Sequence, residues 1–312
     1  IRRNVTKLGR FASSDLDGKP RNDANYILYF EVVLMTLFLL MNAADFHLQN
    51  LGIGHYNQAG SFPISQFIAP MFNGMSEGLV VIIERAAWWL HIAGILVFLN
   101  YLYFATHLHI LLAFPNTFFA DLNAKGKLNN LESVTNEVKL MMDPSADPFA
   151  APANPEAVPA KFGASDVQDL NWVQLLNAYS CTECGRCTSS CPANQTGKKL
   201  SPRKIMMDTR DRLEEVGRNI DLNKGVFVDD GKSLLNDYIT PEELWACTTC
   251  NACVEECPIN ISPLSIIIDM RRYLVMEQSA APMELNNMMS NIENNGAPWP
   301  YNQMDRLNWV NE

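Results

Sequence analysis

The chain has 312 residues, 48% hydrophobic and 19% charged, with a net charge of −10 at neutral pH. That acidic balance excludes nucleic acid as a partner, because phosphates need a basic face. All eight cysteines fall in two short runs, which excludes the scattered disulfide framework of a small secreted domain and points to metal ligation in a reducing compartment. The length allows two domains, and Lys/Arg usage separates them: none occurs between Arg21 and Arg85, nor again before Lys125.

In chain order, Ile1-Arg2-Arg3-Asn4-Val5 reads as the basic exit from a membrane segment lying upstream. Tyr26 to Ala44 is apolar apart from Glu31 and approaches the span of about 20 residues that a bilayer requires. A polar loop holding His47 and His55 follows. A second segment starts near Ser76, a good N-cap residue, and runs to Phe114, where Pro115 stops it. Its densest apolar part, Ala86 to Thr106, covers ~30 Å, one bilayer core. Six Lys/Arg lie in the first 21 residues and none in the loop between the segments. The positive-inside rule then puts the N-terminus and the C-terminal part in the cytoplasm, at an inner membrane. The competing reading, two buried helices of a soluble core, is disfavoured by such long charge-poor runs.

After Pro115 the chain turns polar. Asn129 to Met142 is expected to form a short amphipathic helix, and Asp143 to Ala164, with Pro144, Pro148, Pro152, Pro155 and Pro159, a semi-extended linker. Ser165 and Gln168 are expected to cap a helix over Asp166–Tyr179, and Thr240 and Glu243 another that starts on Pro241. Ser201-Pro202 and Ser262-Pro263 each open a further helix just after a cysteine run. The second half is therefore an imperfect repeat of helix, cysteine run and helix, almost without strand signals. The fold class is all-α: a membrane domain over 1–115, two helices of a larger bundle; an amphipathic segment and linker over 116–164; a helical cluster-binding domain over 165–280; and a partner-binding tail over 281–312.

The runs are Cys181-Thr-Glu-Cys184-Gly-Arg-Cys187-Thr-Ser-Ser-Cys191-Pro192 and Cys247-Thr-Thr-Cys250-Asn-Ala-Cys253-Val-Glu-Glu-Cys257-Pro258. Both have the C-x2-C-x2-C-x3-C-P spacing of two-cluster ferredoxins, in which the fourth cysteine ligates the other cluster. Cys181, Cys184, Cys187 and Cys257 are thus assigned to one 4Fe–4S cluster, and Cys247, Cys250, Cys253 and Cys191 to a second. Structural zinc takes cysteine pairs from two knuckles and leaves the third cysteine of each run without a purpose. Lys198, Lys199, Arg203 and Lys204 either offset cluster charge or form a solvated basic helix end.

The long helical separation between the runs resembles the all-helical dicluster ferredoxin module of succinate dehydrogenase iron–sulphur subunits and heterodisulfide reductase C-type subunits, over about Ser165 to Met276. Asn294-Asn295-Gly296-Ala297-Pro298-Trp299-Pro300 and Arg306-Leu-Asn-Trp309 resemble the segment preceding the CCG domains of heterodisulfide reductase D-type and glycolate oxidase iron–sulphur proteins. No CCG motif follows, so this resemblance implies a CCG-type partner on a separate polypeptide.

His91, His107 and His109 lie on the second segment. Over a continuous helix, the 18 residues from His91 to His109 make five whole turns, placing both on one face ~27 Å apart, with His107 rotated about 160° away. His91 and His109, but not His107, are candidates for one ligand each to a separate haem b, and Glu84, nearly on the His91 face, for a contact to quinone or a haem propionate. Glu84 has an alternative in an ion pair with Arg85, and His107 and His109 in an interfacial role beside Tyr101 and Tyr103. The arrangement resembles the nitrate reductase gamma-subunit family of dihaem membrane proteins over roughly Tyr26 to Phe114. That resemblance implies further membrane helices or subunits and transfer between the quinone pool, haem b, two clusters and the CCG partner. Two other functions are compatible with the residues: a ferredoxin-like carrier on a haem-free anchor, and a non-redox assembly protein with structural clusters.

Overall fold

The computed structural model describes residues 6–143 and 161–310. The opening Ile1–Val5 and most of the proline-rich linker lie outside the described residues. Among those described there are helices and turns but no strand, only one isolated bridge between Leu235 and Ile239. The chain divides into two compact units, one reaching to Pro115 and including Tyr179–Cys184, the other comprising Asn116–Ala178 and Gly185 onward.

The first unit is built on α1 (Lys19–Leu51) and α2 (Glu77–Leu102), both long and apolar enough to cross a membrane. They pack together through Phe30 stacked on Phe98 and through Gly94, where a Cβ would come within 2.6 Å of the Leu34 side chain. Glycine lets the two helices approach there. At one end Ala43, Ala44, Leu48, Tyr56, Phe72 and Val80 form a buried cluster. Much of the remaining apolar surface faces outward, including Val32, Val33, Trp89, Leu96 and Val97.

Two expectations for this unit are corrected. His47 belongs to α1 rather than to a loop: the helix continues to Leu51 and stops at Gly52, whose left-handed backbone donates to the Gln49 and Leu48 carbonyls. The second segment is not continuous to Phe114. α2 ends at Leu102, Ala105 is extended, a 3-10 turn covers Thr106–Leu108, and α3 (His109–Phe118) begins afresh and carries Pro115 within it. The break is fixed by Asp23 of α1, whose carboxylate accepts from the Tyr101 hydroxyl (2.5 Å), the Thr106 N–H (2.9 Å) and the Thr106 hydroxyl (2.7 Å). A carboxylate receiving the first N–H of a new helical turn does the work of a cap. Five-turn phase between His91 and His109 is therefore lost.

The second unit contains α4 (Glu132–Met142), all but the last two residues of α5 (Trp172–Ser180), the short α6 (Arg186–Ser189) and α7 (Pro192–Gln195), α8 (Pro202–Leu222), α9 (Pro241–Trp245), the short α10 (Ala252–Glu255), α11 (Pro263–Met276) and α12 (Met283–Asn295). Ser201 and Ser262 cap α8 and α11 through the N–H groups of Lys204 and Ser265, as the sequence suggests. Thr240 and Glu243 form the expected reciprocal box on α9. The cap near residue 165 sits one position later: Asp166 and Asp169 bracket a 3-10 turn, and Asn171 with Gln174 then closes the start of α5. The repeat is visible in burial. Ile205 and Met206 of α8 and Ile266 and Ile267 of α11 occupy equivalent places after their Ser-Pro starts, and all are buried. Arg212, with a side chain wholly removed from solvent, holds Asp166, Asp230 and the Lys232 carbonyl together.

Candidate functional site

The two cysteine runs fold into the same loop. α5 delivers Cys181 and α9 delivers Cys247. The third and fifth residues of each run are left-handed: Glu183 (φ 55°) and Gly185 (φ 72°) in the first, Thr249 (φ 56°) and Asn251 (φ 61°) in the second. Glycine and asparagine tolerate this conformation, whereas for Glu183 and Thr249 it carries a cost of roughly 1–2 kcal/mol. Alternating hand turns successive peptide N–H groups toward one concavity, the geometry that receives anions and iron–sulphur clusters. The Thr249 N–H donates to Cys247 Sγ at 3.4 Å, so one thiol already serves as an acceptor. The third cysteine of each run then sits on α6 or α10, and Cys191 precedes Pro192 at the start of α7.

Across the repeat, Cys191 converges on the second run. Burial pushes the Cys253 thiol up to about 12, and Cys247, Cys191 and Cys250 push it in the same direction. Burial likewise raises Cys247, opposed by the Thr249 N–H and the Arg271 charge, while Cys191 and Cys250 add to the rise. Cys191 thus lies within electrostatic reach of Cys247 and Cys253, and thiols are the donors that a cationic cluster core takes, since it neutralises their charge. All eight cysteines are free of disulfides. Cys181 and Cys184 group with the first compact unit, Cys187 and Cys257 with the second.

Arg271 was not singled out by sequence spacing. It lies on α11, donates to the Leu244 carbonyl from Nε (3.0 Å) and Nη2 (2.6 Å) and to the Cys247 carbonyl from Nη2 (2.5 Å), and lies over the Trp245 ring at 4.9 Å. Only its place in the repeat could have flagged it.

In the first unit, His91 Nδ1 lies 3.0 Å from the Leu34 carbonyl and His109 Nδ1 2.7 Å from the Thr106 carbonyl. A carbonyl only accepts, so each Nδ1 carries a proton, and in the neutral imidazole Nε2 then presents its lone pair. His107 differs, its Nε2 lying 3.6 Å from Glu31, the one charge in the apolar stretch of α1. A cavity of about 280 Å³ is lined by His107, His109, Glu31, Asn25, Thr182 and Glu183 among others. Glu84 is buried, accepts from the Tyr56 hydroxyl at 3.1 Å and pairs with Arg85 at 2.7 Å. His47 and His55 pack on Phe72 and Tyr56.

Residues 180–261 match the 4Fe-4S dicluster domain. The chain is 32% identical over 93% of its length to the probable iron-sulfur-binding oxidoreductase FadF of Bacillus subtilis, of which it covers 41%. It is 30% identical over 82% of its length to the EtfAB:quinone oxidoreductase of Syntrophomonas wolfei, covering 35% of that protein. Over 34% of its length it is 35% identical to the C-type polypeptide of the ferredoxin/F(420)H(2)-dependent CoB-CoM heterodisulfide reductase of Methanosarcina acetivorans, covering 52%. The chain thus spans less than half the length of the first two relatives, and no solved structure matches it. The dicluster match and these relatives support an electron-transfer protein of the iron–sulphur oxidoreductase kind, and the heterodisulfide reductase C-type resemblance of the cysteine region is met.

Proposed function

Starting from an iron–sulphur electron-transfer chain with a dicluster domain, we propose that it carries electrons between the quinone pool and a CCG-type redox unit outside these 312 residues. Bound clusters and haem b would supply one-electron transfer steps. Cys191 with Cys247, Cys250 and Cys253 holds one 4Fe–4S cluster; Cys181, Cys184, Cys187 and Cys257 hold the other. The observation that carries this reading is the packing of α6, which bears Cys187, against α10, which bears Cys253, so that the two runs meet.

α1 and α2 cross the membrane, with the cysteine domain on the cytoplasmic side, a sidedness resting on the Lys/Arg distribution. His91 and His109 would each hold a separate haem b through Nε2, because their Nδ1–H groups are tied to backbone carbonyls in the way that orients metal-binding imidazoles. Glu84 and Tyr56 provide a carboxylate and a hydroxyl for a quinone headgroup or a haem propionate. Other membrane helices complete the haem sites. The name of the Syntrophomonas relative supports the quinone assignment.

The test is an optical and electron paramagnetic resonance spectrum of the purified membrane protein, oxidised and reduced. Haem b bands together with two interacting reduced clusters are expected. Clusters without haem bands would leave a ferredoxin-like carrier on a haem-free anchor. Clusters that accept no electron reversibly would leave a structural role, and zinc in place of iron would overturn the reading altogether.

A further inference from the structure

The repeat places an arginine at one register in each half. Counting from the capping serines, Arg210 on α8 and Arg271 on α11 both stand nine residues on, and both follow an aspartate by two, Asp208 and Asp269. The halves then diverge. Arg210 is followed by Asp211 and gives both Nε (3.3 Å) and Nη2 (3.2 Å) to its carboxylate. Arg271 is followed by Arg272, which turns to Asp269. Among the described residues Arg271 makes no ion pair with a carboxylate. Its donors go to the Leu244 and Cys247 carbonyls, at the start of the second cysteine loop, and the Trp245 ring covers its face.

We infer that Arg271 is a potential-setting positioning residue: its unneutralised guanidinium, fixed at the Cys247 loop, raises the potential of the second cluster. The inference depends on the cluster assignment under Proposed function. A guanidinium remains charged even where burial lowers its pKa, as it does for Arg271. Net charge near a cluster is one of the terms that set its potential. Reduction adds one negative charge to a site already negative, so a fixed positive charge nearby favours the reduced form. In the first half the residue at the same position pairs with Asp211.

The experiment is a redox titration of the full chain, followed by electron paramagnetic resonance, with iron assayed on each sample. Arg271→Gln should shift the reduction equilibrium of one cluster about tenfold toward oxidation, or about 59 mV for one electron. The other cluster should stay unmoved, and Arg271→Lys should recover most of the shift. Arg272→Asp leaves Arg271 and its bonds in place but copies the acid found beside Arg210, and should lower the same cluster in the same direction. Full iron with both midpoints unchanged in Arg271→Gln and Arg272→Asp would overturn the inference. Should Arg271→Gln lose iron, Arg272→Asp alone decides: a lowered midpoint supports the inference and an unchanged one overturns it. A parent protein without two clusters would instead remove the cluster assignment.

Discussion

Asp23 is the residue on which the second half of the membrane unit turns, and replacing it by alanine gives a quantitative expectation. Its carboxylate takes three hydrogen bonds from the segment where α2 gives way to α3, and one of them satisfies the Thr106 amide at the first position of the new turn. Hydrogen bonds to a charged group contribute about 1.5–3 kcal/mol each. Asp23 is half-buried and its three bonds share one carboxylate, so their sum is discounted to about 3 kcal/mol in total. That corresponds to a rise of roughly 100-fold in opening of residues 103–109. Hydrogen exchange resolved to peptides should show Thr106 losing protection by that order in Asp23→Ala, while the α2 amides before Leu99 keep theirs. Asp23→Asn retains an acceptor oxygen and should lose less. Because Thr106 also supplies the carbonyl that orients His109, the alanine variant should, on the proposed haem assignment, also lose part of the haem signal. Unchanged exchange at Thr106 would show that the break is set by α2 and α3 themselves, and would strip Asp23 of its role as a cap.

Other outcomes follow from the second unit. Cys191→Ser should damage the same cluster as Cys250→Ser, and not the one damaged by Cys184→Ser; matching spectra for Cys191→Ser and Cys184→Ser would refute crossed ligation. Arg212→Met should lower stability by about 3–5 kcal/mol, since it strands Asp166 and Asp230 around a wholly buried position, and denaturant melts would read this directly. Burial raises the Asp208 carboxyl to about 6, against the lowering effect of Lys204. The folded chain then binds that proton more readily than the unfolded one, so Asp208 costs stability at pH 7 and the cost fades as pH falls through 6 toward 4. The stability difference between Asp208→Asn and the parent should therefore move in the parent's favour between pH 7 and pH 5, and a difference independent of pH would count against the shift.

The cysteine loops were legible because cluster chemistry dictates their spacing, and the caps at Thr240, Ser201 and Ser262 because side-chain and backbone groups three residues apart satisfy each other locally. Asp166 took the place of Ser165 as cap because its carboxylate also serves Arg212, a partner 46 residues away. Tyr103-Phe104-Ala105 contains no glycine or proline, so nothing local announces the end of α2; its acceptor is Asp23, 83 residues from Thr106. His47 looked like a loop residue because Asn42, Asp45, Gln49 and Asn50 surround it, although Gly52 gave the true stop. Polar composition marked the end of the apolar stretch, and the helix outlasted it. The convergence of Cys191 on the second run follows from the way the repeat folds back, which spacing alone could suggest only by likeness to ferredoxins.

The break in the second segment changes what the histidines can do together. On one unbroken helix His91 and His109 would be held to a common face and a fixed rise. With α3 starting afresh at His109, that side chain is oriented by Thr106 and Asp23 instead, independently of the packing of α2 on α1 around Gly94 and His91. The cavity beside His109 is bordered by Thr182 and Glu183, neighbours of Cys181 and Cys184 within the same compact unit. On the proposed reading, a haem on His109 would stand next to Thr182 and Glu183 of the first cysteine loop, and Arg271 would raise the potential of the second cluster. On that reading, Asp23 and Arg271 would act on the sites without ligating any group themselves.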